Sequence, residues 1–511
     1  MTENKDESFL GRFLVLKGAV RELWLILGTK ILAIVAYGLV NSTLVLWLSS
    51  DLKYNDVNAG FLIATWSTIM TLFTIMVGSL VDAIGLRKAF LIGFGVCIMA
   101  RGVMAFSALR MIALPLGLLP LALGEALMTP VMVAAIKRYA STVQRSMAFS
   151  MFYAMMNVGF AISGTIFDRV RNGLGEYGHY TLPVLGTTLS TYQTLIFLGF
   201  LFTIPNLLIM YFCLRDGVEV TDEGVKIFVE KPKYGDRNAL EAAWLSGRDA
   251  LESWARIFKS LWTQPAFYRF LIFLSLVVFV RLIFYHMHYT FPKYGIRELG
   301  AGAPIGRLFG VLNPVLIVFL VPIIGALTQK MSAYKTVIIG SFIAGCSVFF
   351  MAMPPALFTG LADGPLGDLL VHKWFGIEGP VNPLYMSIFF SVVVLSVGEA
   401  FYSPRLYEYP AAIAPKGQEA SYMALSLLPY FVAKFFVGSV SGYLLSRYCP
   451  AEGLRDSQTM WLIIGVMAMV SPLGLLVFRR FIQVHEAGRT EDGATLGSLA
   501  EKAAVEEGEE E

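Results

Sequence analysis

The chain has 511 residues, 56% of them hydrophobic and only 15% charged, with a formal net charge of +3. A soluble protein needs about 25% charged residues to cover its surface, so this composition, with a mean hydropathy of +0.65, places the chain in a membrane. Disorder, collagen and a disulfide scaffold are excluded, and the charge is too small for a nucleic-acid binder.

Residues 1–22 read as a cytoplasmic segment with scattered charges and no small-residue cleavage site, so no signal peptide is expected and the first helix serves as its own insertion signal. Apolar stretches of about 20 residues follow near 23–48, 58–80, 89–108, 112–135, 147–167 and 191–214, then near 268–290, 307–327, 335–354, 383–404, 420–446 and 458–478. These are twelve spans. With both termini cytoplasmic, Lys and Arg number about 25 in the inner loops against about 10 in the outer ones, and that asymmetry sets the orientation. Cys97, Cys213 and Cys346 lie in apolar runs, and with Cys449 they show no metal or disulfide spacing.

The polar stretch 215–264 separates a six-span bundle at 23–214 from a second at 265–480. Within it Leu240, Trp244, Leu251, Trp254, Phe258 and Leu261 recur at helical steps between Arg237, Arg248, Arg256 and Lys259, which predicts an amphipathic helix on the inner leaflet. Residues 481–511 form an acidic cytoplasmic tail, read as disordered. Two repeats support the division into halves. Gly124-Glu125-Ala126-Leu127-Met128-Thr129-Pro130 returns 274 residues later as Gly398-Glu399-Ala400-Phe401-Tyr402-Ser403-Pro404. Gly78–Lys88 returns more weakly as Gly325–Lys335, 247 residues later, and the long outer loop 355–382 absorbs the difference. The expected fold is an all-α membrane protein of two pseudo-symmetric six-helix bundles, an architecture built around a site near the bilayer midplane.

Between the second and third spans, Gly78-x-x-x-Asp82-x-x-Gly85-x-Arg87-Lys88 resembles the loop signature of the major facilitator superfamily. An Asp at a helix end facing a basic turn can latch neighbouring helices, so these five residues are expected to gate rather than to touch a solute. Three further stretches resemble the proton-coupled oligopeptide transporter branch of that superfamily: Phe149–Tyr153 followed by Asn157-Val158-Gly159, Leu312-Asn313-Pro314, and Gly398-Glu399 with Ser403-Pro404. The resemblance implies that Glu399 holds the amino end of a peptide. It also marks departures. The first-span Glu-x-x-Glu-Arg-Phe of that branch is replaced by Lys30–Val35, its fourth-span lysine by Thr129, and its seventh-span acid by a stretch containing Arg281.

Lys30, Arg101, Glu125, Arg281, Glu399 and Lys434 fall within the spans. At roughly 2.5–3.5 kcal/mol each on insertion scales, such residues have to pair or to line a cavity. Glu125 and Glu399, at equivalent places in the repeat, are expected on opposite walls of one cavity as ligand or proton groups, with Lys30 and Arg281 as their basic counterparts. Arg101 and Lys434 are expected to bridge helices. Four bases against two acids leave a surplus that favours a carboxylate-bearing or otherwise anionic solute. Asn313, Tyr37, Tyr153 and Tyr402 complete the candidate solute site. His286 and His288, near the outer end of the seventh span, are read mainly as interfacial residues, with an external proton sensor as the sharper alternative.

No Gly-rich phosphate loop with Lys-Ser/Thr is present, so ATP is not expected to drive the protein, and no nucleophile-base or metal constellation is found, so an enzyme is not expected. The expected function is secondary active transport of a small polar, peptide-like solute by alternating access, driven by a proton gradient without a cofactor or metal. The rivals are an exporter or a carrier of another small organic anion and, from a different class, a membrane receptor or enzyme. A monomeric multi-pass protein of the cell (inner) membrane, in contact with lipid and its solute but not with nucleic acid, completes the expectation.

Overall fold

A computed structural model of the chain describes residues 16–183, 186–221, 224–227, 265–328, 331–406 and 428–482, together with single positions between 234 and 262. Twelve long helices follow in the predicted order: α1 (Arg21–Ser50), α2 (Asp56–Ile84), α3 (Leu86–Phe106), α4 (Leu119–Tyr139), α5 (Thr142–Leu174), α6 (Thr191–Phe212), α7 (Pro265–Tyr289), α8 (Leu312–Leu327), α9 (Ala333–Ala352), α10 (Leu384–Tyr402), α11 (Leu428–Tyr448) and α12 (Ser457–Val477). Eleven of them are long and apolar enough to cross a membrane within the described residues. The remaining one, α11, falls on the predicted span near 420–446, whose beginning lies outside the described residues. The tail 481–511 is outside them too, apart from Phe481 and Ile482.

The chain divides into two compact units, residues 1–55 with 65–255, and residues 56–64 with 256–511. In the first unit α1 packs against α5 and α6, and α3 against α4 and α6. In the second, α7 packs against α11 and α12, and α9 against α10 and α12. Counting six spans on from each helix of the first set gives the second set, so the duplication read in the sequence is also a duplication of packing.

Glycine sets the closest of these approaches. A Cβ on Gly124 would stand 2.6 Å from Cys97 Sγ and 3.2 Å from the Gly93 carbonyl, where α4 crosses α3. On Gly340 it would stand 2.7 Å from Phe401 Cβ and 2.8 Å from the Gly398 carbonyl, where α9 crosses α10. Gly93 maps on Gly340 and Gly124 on Gly398 by the two separations found in the repeats. Without a hydrophobic force between helices in lipid, such backbone contact is a principal source of cohesion.

Some local structure departs from the sequence reading. α4 and α8 are each led in by a π-helical turn, Ala113–Leu118 and Gly306–Val311, rather than starting as regular helix. The loop 355–382 is largely helical turns, ending in a π-helical segment, Asp368–Trp374. Two short antiparallel hairpins also form, β1 (His179–Thr181) with β2 (Thr188–Ser190) and β3 (Val218–Thr221) with β4 (Gly224–Ile227). Strands of three or four residues carry too few alternations to signal themselves by period. In the linker the backbone is helical at every described position from 241 to 259, with Trp244 and Leu251 exposed; Leu240, Trp254, Phe258 and Leu261 lie outside the described residues.

The glycine contacts predict a split between two equally small substitutions. Gly340→Ala forces a methyl into backbone atoms of α10 and is expected to destabilise the protein by about 1–3 kcal/mol. Gly95→Ala, on α3 where a Cβ meets nothing within 4 Å, is expected to be neutral or to stabilise by up to about 1 kcal/mol. Thermal unfolding of the two purified variants in one detergent checks this, and equal midpoints would refute the glycine account.

Candidate functional site

In the first unit the charged residues of the spans form one buried polar seam. Arg101 on α3 donates from Nη2 to Glu125 on α4 and from Nη1 to the Thr203 hydroxyl on α6, joining three helices. Glu125, expected as a ligand or proton group, is therefore held by Arg101, and Arg101 bridges helices as expected. Lys30 on α1 is buried. Its Nζ lies 3.3 Å from Thr129 Oγ1 on α4 and 4.2 Å from the ring centre of Phe152 on α5. Among the described residues no carboxylate lies within ion-pair distance of it, although Glu125 is in Coulombic range. Thr129 is the residue that departs from the fourth-span lysine of the oligopeptide branch. The ammonium that reaches its hydroxyl comes from α1 instead.

The second unit assembles the other candidates. Asn313, one residue into α8, donates from Nδ2 to Glu399 Oε2 at 2.9 Å and to Ser396 Oγ at 3.0 Å, both on α10. Arg281 on α7 donates to Ser403 Oγ at 3.3 Å and lies 5.4 Å from the centre of the buried Tyr402 ring, within Coulombic range of Glu399. An acid, an amide and a guanidinium thus converge from α10, α8 and α7. Lys434 on α11 lies 6.0 Å from the ring centre of Tyr285.

The two glutamates occupy equivalent places but do not have equivalent partners. The separation that carries Gly93 to Gly340 carries Arg101 to Val348, a buried apolar residue of α9. The arginine that neutralises Glu125 has no counterpart beside Glu399, and Asn313 supplies a neutral donor there. A carboxylate that accepts from an amide remains able to bind a proton or a cation, whereas one locked to a guanidinium does not without breaking the pair.

Of the aromatic candidates, Tyr37 on α1 packs edge-on to Phe160 with centroids 6.3 Å apart, and the backbone carbonyl of Tyr153 on α5 accepts from the Asn157 amide. His286 is buried rather than interfacial, with Nδ1 2.8 Å from Thr290 Oγ1, and the Nδ1 of the part-buried His288 is 2.8 Å from the Phe284 carbonyl.

The proposed gating loop is described in part. Gly78 and Asp82 lie on α2, and the side chain of Asp82 is outside the described residues. Gly85 precedes α3 at φ +89°, a conformation that favours glycine, and Lys88 is exposed. Arg87 forms an interhelical latch, but to the end of α6: Nη1 is 2.8 Å from Asp216 Oδ2, and Nε and Nη2 donate to the carbonyls of Met210 and Tyr211.

Further ion clusters were not anticipated. Arg171 near the end of α5 is buried between Asp168 and Glu176, and Tyr192 donates to Glu176 Oε1. The spacing Asp168-x-x-Arg171 was a readable signal. Arg215 pairs with the buried Glu22. In the second unit Asp56 Oδ1 accepts from Lys293 Nζ at 2.6 Å and Arg297 Nη2 at 2.9 Å. Burial pulls Lys293 below the ordinary lysine range, with Asp56 opposing the shift. These partners are 193 and 237 or more residues apart along the chain, beyond the reach of pattern reading.

A sequence profile of the Major Facilitator Superfamily matches residues 26–386. No curated protein sequence matches the chain. Among solved structures, a POT family transporter in complex with 5-aminolevulinic acid has a TM-score of 0.65 at 17% identity, over 94% of this chain and 98% of that one. A POT family transporter with a thioalcohol-conjugated peptide gives 0.63 at 17% identity, over 91% and 97%. The peptide transporter POT in complex with sulfate gives 0.62 at 16% identity, over 90% and 95%. At these identities the structures show a shared fold. With the profile spanning most of the chain and the twelve long helices among the described residues repeating as six and six, this protein is a multi-pass transport protein of the Major Facilitator Superfamily.

Proposed function

We infer that the protein is a proton-coupled secondary transporter of a small, carboxylate-bearing and peptide-like solute, working by alternating access. The observation that carries this reading is the distribution of buried charge. Glu125 is paired with Arg101, and Lys434 lies beside Tyr285 as a helix-bridging residue, so the reading assigns the solute to the bases Lys30 and Arg281 and to the acid Glu399. Two cations and one acid suit a zwitterion, with its carboxylate held by the bases and its amine by Glu399. The solved neighbours bind 5-aminolevulinic acid and a conjugated peptide, which is consistent with such chemistry. In this reading the coupling proton resides on Glu399, where the hydrogen-bond partner is a neutral amide. Tyr37, Tyr153 and Tyr402 supply cavity aromatics. The segment Gly78, Asp82, Gly85, Arg87 and Lys88 gates the transition, and no cofactor is required because the proton gradient is the driving force.

The charge assignment is tested by solute selectivity. A charge-assisted hydrogen bond to a desolvated group contributes roughly 1.5–3 kcal/mol, so Arg281→Gln and Lys30→Gln should each weaken carboxylate-bearing solutes about 10- to 150-fold more than their amides. Glu399→Gln should discriminate in the same way against amine-bearing solutes. Binding of a panel of radiolabelled peptides and their blocked analogues to the purified variants, which needs no proton gradient, measures both effects. A carrier of simple organic anions would show the first without the second, and equal losses for blocked and unblocked solutes would remove these residues from the site.

Coupling separates the two glutamates. Glu399→Gln is expected to abolish uphill uptake while leaving counterflow exchange, since exchange needs no net change of protonation. Glu125→Gln leaves Arg101 buried without its acid and is expected to destabilise the protein by about 3–5 kcal/mol. Gradient-driven accumulation and the unfolding midpoint of both variants decide this, and intact accumulation in Glu399→Gln would place the proton elsewhere.

A further inference from the structure

The loop between α9 and α10 lies on the membrane face opposite the linker and contains a histidine whose two ring nitrogens both meet oxygen. His372 Nδ1 is 3.1 Å from Asp368 Oδ1, one turn earlier on the Asp368–Trp374 segment, and Nε2 is 2.9 Å from the Gly379 carbonyl. The second contact depends on the return of the chain after the segment, through Gly376 at φ +70° and Gly379 at φ +94°. A neutral imidazole carries one N–H and can serve only one of these acceptors, leaving the other nitrogen's lone pair against an oxygen. The imidazolium donates to both.

The same segment is fastened to the beginning of α8. Arg307, in the π-helical turn Gly306–Val311, donates from Nη1 to the Trp374 carbonyl at 2.9 Å and from Nη2 to the Phe375 carbonyl at 3.2 Å, and its guanidinium lies 5.3 Å from the Phe375 ring centre. That turn runs directly into α8, where Asn313 holds Glu399. We propose that protonation of His372 closes a clasp on the loop between α9 and α10, and that Arg307 passes the closed state to the first turns of α8 and so to the grip of Asn313 on Glu399. It is a regulatory proton site, separate from any proton that is carried, and it stands whatever the solute is.

The charged groups around His372 are Asp368 and Lys373 on its own segment, with Lys373 Nζ 2.9 Å from Asp368 Oδ2, then Glu378 beside Gly379, and Arg307 from the α8 side. The Gly379 carbonyl first and Asp368 second raise His372 above the ordinary histidine value, while Lys373 and His372 hold Asp368 below the usual carboxylate range. With 38% of its side chain exposed, His372 titrates with the adjoining solution. Because its value in the folded protein is raised, the clasp is fully fastened at pH below about 6.5 and is lost as pH rises through the raised value.

Hydrogen–deuterium exchange of the full-length protein in lipid nanodiscs, corrected for the intrinsic pH dependence of amide exchange, reads the clasp directly. In the wild type, peptides covering 368–379 and 306–314 should exchange at least about three-fold more slowly near pH 6 than near pH 8.5. His372→Gln should remove that difference from both peptides. Arg307→Gln should keep it in 368–379 and lose it in 306–314. Equal protection of the wild type at the two pH values overturns the clasp, as does a His372→Gln protein that keeps the response. A response of 306–314 that survives Arg307→Gln overturns the link to α8.

Discussion

An ionised side chain inside a hydrocarbon slab has to be answered by another polar group, and this requirement organises the interior of the protein. Arg101 answers Glu125 and reaches Thr203, so a single guanidinium joins α3, α4 and α6. Asn313 answers Glu399, joining α8 to α10. Lys30 is answered by a hydroxyl on α4 and an aromatic face on α5. Each charge thus fixes helices that lipid alone would leave indifferent to one another. The strength of the answer also separates fixed from available groups: a guanidinium-carboxylate pair resists change, whereas an amide or a hydroxyl leaves its partner free to exchange a proton or meet a solute.

The duplication shows what the fold holds constant and what it lets vary. Gly93 and Gly124 in one half and Gly340 and Gly398 in the other stand in register at the crossings, where a Cβ on Gly124, Gly340 or Gly398 would meet backbone of the crossing helix and one on Gly93 would meet the Met128 and Leu127 side chains. Charge has diverged on that common frame. Arg101 corresponds to Val348, and the same separation relates Asn313 to Trp66. Two glutamates at equivalent places in the repeat therefore meet different partners, a guanidinium in one half and an amide in the other. The difference arises from the residue opposite, not from the glutamate.

The fold was legible because a membrane makes it so. Twelve apolar stretches, a basic excess in alternate loops and two repeats point to the span number and the division, and eleven predicted spans fall on described helices while α11 covers the described part of the span near 420–446. The resemblance marked Asn313 and Glu399, which the structure brings into contact. What the sequence could not disclose was partnership. Arg101 and Glu125 are 24 residues apart on helices whose rotation about their axes no pattern specifies, and Arg87 meets Asp216 across 129 residues. Composition counted six charges within the spans and read a surplus, but the surplus at the candidate site depends on which of them cancel. The missed hairpins and π-helical turns are short and backbone-determined, with too little periodicity to register.

The loops on the face opposite the linker use a recurring device that bears on how pH could act on such a protein. Arg110, ahead of α4, donates to the carbonyls of Leu52 and Lys53 and stacks 4.3 Å from the Tyr54 ring centre, holding Lys53 at φ +56°. Arg307, ahead of α8, grips the carbonyls of Trp374 and Phe375 in the same manner. A guanidinium stays charged at every physiological pH, so these clamps give connections that do not titrate. Sensitivity to protons has to come from groups of another kind placed beside them, such as an imidazole or a carboxylate. A fixed clamp next to a titratable group is a workable arrangement for this reason: the first transmits a movement that only the second can start.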